Sequence, residues 1–292
     1  MDTVAFIGLG RMGGLMAAHV ARAGYPLRAH DTHAHALARF AAGTPCTACA
    51  TAPEAARGAT VLVTMLPDGP AVSAAVRAAL PALDEGALVI DMSSADPYGT
   101  RELATALAAR GIALVDAPVS GAKARAAEAT LAIMAGGETA DFERARPILA
   151  TMGNELFHVG PVGAGHALKA LNNYLGAAGT IAGFEALLVG QAFGLDPARM
   201  VEVINASTGK NSTTERKIPQ QVLTGAFASG FSAALMTKDL GIAAGLAEAL
   251  GVETPYLRDT LSIWREALAR LPPGADHTEL FHYLRALKPP AH

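Results

Sequence analysis

The sequence predicts an α/β domain built on a parallel sheet, followed by an all-α domain, with one long helix joining the two. Three observations carry this. Apolar runs of strand length alternate with helix-length stretches through the first half of the chain. From about Gly163 the strand-like runs stop and helical spacing takes over. A glycine-rich stretch, "GLGRMGG", stands directly between the first strand and the first helix. The boundary falls between residues 162 and 163, so the expected domains are 1–162 and 163–292.

The elements follow in order. Strand-length runs are "TVAFIG", "PLRAH", "ATVLVTML", "ALVIDMS", "IALVDAP" and "TLAIMAGG". Between them lie helical stretches over Arg11–Ala23, Thr32–Ala42, Pro70–Leu80, Pro97–Arg110 and Ala140–Met152. Units of this kind give parallel strands with helices on both faces. The second half predicts helices over Gly165–Phe193, Pro197–Asn205, Ser232–Leu250, Pro255–Ala269 and His277–Leu287, with breaks such as "LPPGAD".

The loop after the first strand spells Gly8-Leu9-Gly10-Arg11-Met12-Gly13. Glycines at this spacing permit a tight turn, close approach of backbone to a pyrophosphate, and packing of the helix on the sheet. The helix N-terminus then favours the phosphates. Asp31 ends the second strand, eighteen residues past Gly13, where a carboxylate can accept from adenosine ribose hydroxyls. The first domain is therefore expected to be of the Rossmann type and to hold NAD. Arg28, His30, His33 and His35 lie close enough in sequence to leave NADP open. "TMLPDG" and "DMSSADP" end two further strands on the same edge of the sheet, where ligands of open α/β sheets bind.

Composition excludes several classes. The 292 residues are 51% hydrophobic and 17% charged, with a net charge of −3 and no block of like charges. Neither nucleic acid nor an anionic membrane surface is an expected partner. The N-terminus lacks a basic region and a cleavage site, so a cytoplasmic protein is expected. The only cysteines, Cys46 and Cys49, form a lone C-x-x-C pair. Zinc needs two more ligands, and no metal site is expected.

"GAGHALKALNNYLGAAGTIAGFEALLVG", from Gly163 to Gly190, is almost wholly apolar, yet it opens with Lys169, Asn172 and Asn173. From Tyr174 to Gly190 only Glu185 is charged, which is short for a membrane span and interrupted at its middle. A central helix buried on all sides is the expected reading. Burying a lysine is costly without a reason. Desolvation lowers a lysine pKa towards neutrality, which suits acid–base chemistry better than packing.

The motifs form an ordered set: "FIGLGRMGGLM", "TMLPDG", "DMSSADP", "DAPVSGA", "TLAIMAGG", "GAGHALKALNN" and "FSAALMTKDLGIA". From Val4 to about Ala247 the chain closely resembles the β-hydroxyacid dehydrogenase family, which includes 3-hydroxyisobutyrate dehydrogenase, tartronate semialdehyde reductase and, more distantly, 6-phosphogluconate dehydrogenase. The resemblance implies hydride transfer between a small β-hydroxy acid and NAD. Lys169 would be the general acid/base. Asn173, one turn on, would orient the substrate, with Asn172 a rival for that role. Ser120 and Gly121 would hold the substrate carboxylate and hydroxyl. Met65, Leu66 and Pro67 would line the cofactor site, with Ser94 near the nicotinamide. Lys238 would close over the nicotinamide end, its other reading being a surface charge pair with Asp239.

The family commonly has a second glycine after "VSG", and here Ala122 and Lys123 follow instead. Both are candidates to face the substrate; Lys123 could meet a second polar or anionic group, its other reading being a solvated lysine at the start of a short turn. Two other functions compete. Imine reductases resemble this fold but usually replace the lysine. A non-catalytic NAD-binding regulatory protein would tend to lose the lysine and add interaction domains. The greasy helix also predicts a homodimer or homotetramer, since an all-round apolar helix needs cover.

Overall fold

Runs of β-branched and aliphatic residues build the main sheet in a computed structural model that describes residues 2–287. Its strands are β1 (Val4–Ile7), β2 (Leu27–His30), a two-residue β3 (Thr47–Ala48), β4 (Val61–Thr64), β5 (Leu88–Asp91) and β6 (Ala113–Asp116). They lie side by side in the order β3-β2-β1-β4-β5-β6, all parallel. Every residue of β1, β4 and β5 is buried, as expected of parallel strands covered on both faces.

The pairing aligns Ile7 with His30 and Thr64, Thr64 with Asp91, and Asp91 with Asp116. The loops that follow these residues therefore leave from one edge, the carboxyl end of the sheet. The crossover helices α1 (Gly13–Arg22), α2 (Ala34–Gly43), α4 (Gly69–Ala79) and α5 (Pro97–Ala108) lie within about two residues of the expected spans. Helix α4 starts where the Asp68 carboxylate accepts from Ala71 N, and α5 where Asp96 accepts from Gly99 N. Each such cap stabilises its helix by about 1 kcal/mol.

The strand expected at "TLAIMAGG" and the helix expected over Ala140–Met152 are present, but several other features lie outside the sequence expectation. Strand β7 (Val119–Ser120) and β8 (Leu131–Gly136) pair antiparallel, and β8 is antiparallel to β6, so the sheet is not parallel throughout. Strand β9 (Gly153–Gly160) extends β8 in parallel. Its residues are mostly half-buried or exposed, and "GNELFHVG" has no apolar run to announce it. The short helices α3 (Ala52–Ala56) and α6 (Ala122–Ala127) are too brief to show a period. Helix α7 (Thr139–Leu149) completes this unit.

The chain divides between Lys169 and Ala170, seven residues after the expected boundary. The start of α8 (Ala164–Phe193) belongs to the first unit because the Asp116 carboxylate accepts from Gly163 N at 2.7 Å and His166 N at 2.8 Å. The second unit is helical. It comprises the rest of α8, α9 (Pro197–Asn205), a π-helical segment (Thr213–Val222), α10 (Ala233–Ala249), α11 (Pro255–Arg270) and α12 (Leu280–Ala286). Helix α8 is the one helix among the described residues long and apolar enough to cross a bilayer. Its Ala177, Ile181, Phe184 and Leu187 lie in the core of the helical unit with Leu240, Trp264 and Leu280.

A polar knot fixes the entry to α10. The Asp276 carboxylate accepts from Ser229 Oγ, Gly230 N, Thr278 N and Thr278 Oγ1. Beside it, the buried His277 ring meets the Phe231 carbonyl at 3.0 Å and stacks 6.5 Å from Trp264. Burial, and then the charge of Lys217, push the His277 pKa from 6.5 down to about 4. Between those values the unfolded chain binds a proton that the folded chain does not, so stability falls as pH falls through the window. From about pH 7.5 to about pH 5 the helical unit should lose roughly 2 kcal/mol from this group. Urea titrations followed by the fluorescence of Trp264, the sole tryptophan, read the loss. It should vanish in His277→Gln, and an unchanged pH slope in that variant would assign the effect elsewhere.

Candidate active site

Gly8 ends β1 with φ +98°, a conformation that favours glycine. A Cβ at Gly8 would strike the Met65 carbonyl oxygen, and one at Gly13 would strike the Gly8 carbonyl oxygen. A Cβ at Gly10 would meet nothing within 4 Å. The outer glycines thus let β1, the β4 loop and α1 pack closely, while the middle one leaves backbone uncovered for a ligand. Leu9 is buried, Met12 half-buried and Arg11 exposed, and α1 begins at Gly13 with its first N–H groups at the loop.

Asp31 follows β2 beside this loop. Its Oδ2 accepts from Leu9 N and its Oδ1 from His33 N, both at 2.7 Å. Burial raises the Asp31 pKa, but the amides of His33 and Leu9 and the His33 ring outweigh it, and the net shift is downward. An ionised carboxylate keeps lone pairs for ribose hydroxyls even with these two bonds. The loop and Asp31 together fit a dinucleotide: a cradle that side chains would fill, a helix N-terminus and an acceptor.

The next two loops are tied together. Thr64 Oγ1 donates to Asp91 Oδ1 at 2.8 Å, and Ser93 N donates to the same oxygen at 3.0 Å. Ser93 Oγ in turn accepts from Leu66 N at 2.9 Å. This holds the segment Met65, Leu66 and Pro67 against the segment that presents Ser94.

Sequence reasoning missed a buried histidine behind these loops. His166 Nδ1 lies 2.8 Å from Thr100 Oγ1, and its Nε2 lies 3.1 Å from the Ser93 carbonyl oxygen. A carbonyl only accepts, so Nε2 carries the hydrogen. Asp91 and Asp116 flank the ring at 3.6 and 3.9 Å. Burial drives the Asp116 pKa upward, against the pull of His166 and of the amides it accepts from. His166 therefore bolts the first turn of α8 to the Ser93–Ser94 loop. The only signal in the sequence was a polar residue in the apolar run "GAGHAL".

Ser120 ends β7, and its hydroxyl has no protein partner among the described residues. Gly121 has φ +139°, and Ala122 has φ +53°, a left-handed conformation rare for alanine. Lys123 is exposed in the first turn of α6.

On α8, Lys169 and Asn173 are both 9% exposed and one turn apart on the same face. Asn173 Nδ2 donates to Asp239 Oδ2 at 2.6 Å, and Asn172 Nδ2 donates to Asn173 Oδ1 at 3.3 Å. Asp239 also pairs with Lys238 at 3.3 Å. Asp239 is 2% exposed, so this is not the surface charge pair weighed from sequence; it is a buried carboxylate that orients the Asn173 amide.

The comparisons with known proteins point the same way. Residues 3–160 match the family described as the NAD binding domain of 6-phosphogluconate dehydrogenase. Residues 163–284 match that described as the NAD-binding of NADP-dependent 3-hydroxyisobutyrate dehydrogenase. The chain belongs to the β-hydroxyacid dehydrogenase family. It is 36% identical to Mycobacterium tuberculosis 3-hydroxyisobutyrate dehydrogenase, solved with L-serine, at a TM-score of 0.91 and covering 98% of this chain and 100% of that one. It is 39% identical to an NAD-dependent L-serine dehydrogenase of Pseudomonas aeruginosa, over 91% of this chain and 92% of the relative. It is 37% identical to a 2-(hydroxymethyl)glutarate dehydrogenase of Eubacterium barkeri, over 82% and 80%. As a family member it is an oxidoreductase that uses NAD(P).

The departure at Ala122 has a measurable cost within this family frame. A left-handed alanine is disfavoured by roughly 1–2 kcal/mol. Ala122→Gly should therefore raise stability by up to about 1 kcal/mol after the added unfolded-state entropy of glycine is subtracted. Denaturant midpoints of parent and variant measure it, and a destabilised variant would show that the alanine methyl packs better than its backbone suffers.

Proposed function

We propose that the protein transfers a hydride between a small β-hydroxy acid of the 3-hydroxyisobutyrate type and NAD. The observation that carries this reading is buried Lys169 one turn before Asn173, whose amide is held by Asp239. Bound NAD supplies the hydride acceptor. Lys169 Nζ takes the proton from the substrate hydroxyl during oxidation and returns it during reduction. One Asn173 N–H goes to Asp239, which leaves the other for the substrate. Ser120 Oγ and the Gly121 backbone hold the carboxylate, with Ala122 and Lys123 next in the chain, and Asn172 stands beside Asn173 on α8.

The names of the relatives support a substrate core. Serine, 3-hydroxyisobutyrate and 2-(hydroxymethyl)glutarate all contain 3-hydroxypropionate and differ only in what C2 carries. The core suits Lys169 and Ser120, and the C2 substituent is what distinguishes such enzymes.

NAD is the preferred cofactor in this reading. Asp31 repels a 2′-phosphate. Arg28, the nearest candidate for such a phosphate, is occupied: its Nε and Nη2 donate to the Ala55 and Glu54 carbonyls at 3.0 and 2.8 Å. His30 is buried against the Cys49 carbonyl at 3.0 Å. Catalytic efficiency should be higher with NAD than with NADP, and Lys169→Ala should lower turnover by about 10²- to 10⁴-fold with little change in NAD affinity. Turnover near the parent value in that variant would remove Lys169 from the mechanism.

A homo-oligomer, dimer or tetramer, is part of the same proposal. Helix α8 exposes Leu171, Leu175, Val189 and Phe193, the last at 83%. Such a row needs cover. Leu175→Glu should shift sedimentation towards the monomer, and an unchanged mass would place the contact elsewhere.

A further inference from the structure

The helical unit holds a lysine that the chemistry above does not use. Lys217 lies in the π-helical segment Thr213–Val222, an irregularity often found at functional sites. Its Nζ donates to Thr180 Oγ1 at 2.7 Å. Thr180 Oγ1 donates to the Gly176 carbonyl at 2.7 Å and stands 3.0 Å from Thr213 Oγ1. An ammonium carries three N–H groups. Only one of them has a protein acceptor among the described residues, and that acceptor is a neutral hydroxyl. Asp276 is the carboxylate nearest in effect, but its oxygens already accept from Ser229, Gly230 and Thr278. A purely structural lysine withdrawn from water normally has a carboxylate of its own.

The ammonium stands at one end of a strip of α8 whose ends, Asn173 and Thr180, are buried and whose middle, Gly176, is half-buried. Asn173, Gly176 and Thr180 follow at intervals of three and four residues, on one helical face. A Cβ at Gly176 would meet nothing within 4 Å, so the middle of the strip is open. Asn173 and Thr180 are roughly 10 Å apart along the axis.

We propose that Lys217, together with Thr180 and the open face at Gly176, forms a subsite for a second anionic group on the C2 substituent of the substrate. The inference rests on the reading that Asn173 holds the reacting end. It makes the preferred substrate a hydroxy diacid, with its distal carboxylate on Lys217 in a charge-assisted hydrogen bond. Burial pushes the Lys217 pKa down to about 8, against the attraction of Asp276 and with the repulsion of Arg216; His277 is the remaining titratable group beside it. The ammonium is present below that value, so the preference for a diacid should fade as pH rises through about 8.

The test uses the full chain with NAD and two substrates: 3-hydroxyisobutyrate and 2-(hydroxymethyl)succinate, in which a carboxymethyl group replaces the methyl. The parent should favour the diacid in kcat/KM by about tenfold or more. Lys217→Met should collapse that ratio, chiefly through KM, and Lys217→Arg should keep part of it. Melting curves establish that both variants fold. An unchanged ratio in Lys217→Met overturns the subsite, as does a parent without diacid preference or a ratio that moves in Lys123→Met instead. Lys169→Ala is run alongside. Turnover in that variant faults the catalytic reading, whereas an inactive Lys169→Ala beside an unmoved Lys217→Met faults the subsite alone. Should neither acid turn over, calorimetry of both acids on the NAD-loaded parent reads the same preference, and equal affinities overturn it.

Discussion

The carboxylate of Asp116 is the contact on which the arrangement of the first unit depends. It sits at the end of β6 with no exposure to solvent and accepts from Gly163 N and His166 N, two orphan donors at the start of α8. A buried carboxylate is tolerable only when its lone pairs are used. Here the groups that use them belong to the helix that carries Lys169. The sheet therefore holds α8 by its first turn, and no loop intervenes. Gly165 makes this approach possible, since a Cβ there would collide with the Met134 and Asp116 carbonyl oxygens.

The same economy of polar groups recurs along the carboxyl edge of the sheet. Thr64, Asp91 and Asp116 occupy one row of paired residues, each fully or almost fully buried. Thr64 and Ser93 satisfy Asp91, Ser93 receives Leu66, and His166 closes the chain through Thr100 and the Ser93 carbonyl. Networks of this kind are stable only when every member is satisfied, and then they specify one geometry. The loops expected to meet the cofactor are held by that network and not by packing alone. Rigid support of this sort is what positioning of reacting groups requires.

The helical unit solves a different problem. Its loop from Ser229 to Ser232 must deliver α10 with Lys238 and Asp239 correctly placed. Asp276 gathers that loop with four donors, and His277 stays neutral beside Trp264 because burial and Lys217 both disfavour its charge. Lys217 is thus coupled to the knot electrostatically while its own donors are left short of acceptors. The cysteine pair serves packing in the first unit: Cys49 is fully buried in its core, both thiols are free, and burial pushes both up, away from reactivity.

Much of this protein was legible in its sequence, because much of it is local. The alternation of apolar runs, the glycine spacing of Gly8, Gly10 and Gly13, the acid at Asp31 and the change of period near Gly163 each report on chain segments a few residues long. The set of motifs around Ser120, Lys169 and Asn173 gave the family. What local pattern could not carry was partnership across the chain. Strand β9 is exposed on much of its surface and owes its existence to pairing with β8, so no apolar run marks it. His166, Asp91 and Asp116 read as unremarkable polar residues until the fold stacks positions 50 and more residues apart. Asp239 looked like half of a surface pair, and burial made it the support of Asn173. Lys217 had no motif at all. The sequence by itself determined the elements and the family, since hydrophobic period and turn chemistry act over one element. Only the tertiary structure decided which buried polar groups satisfy one another, because a desolvated donor or acceptor takes its partner from whatever the fold brings within 3 Å.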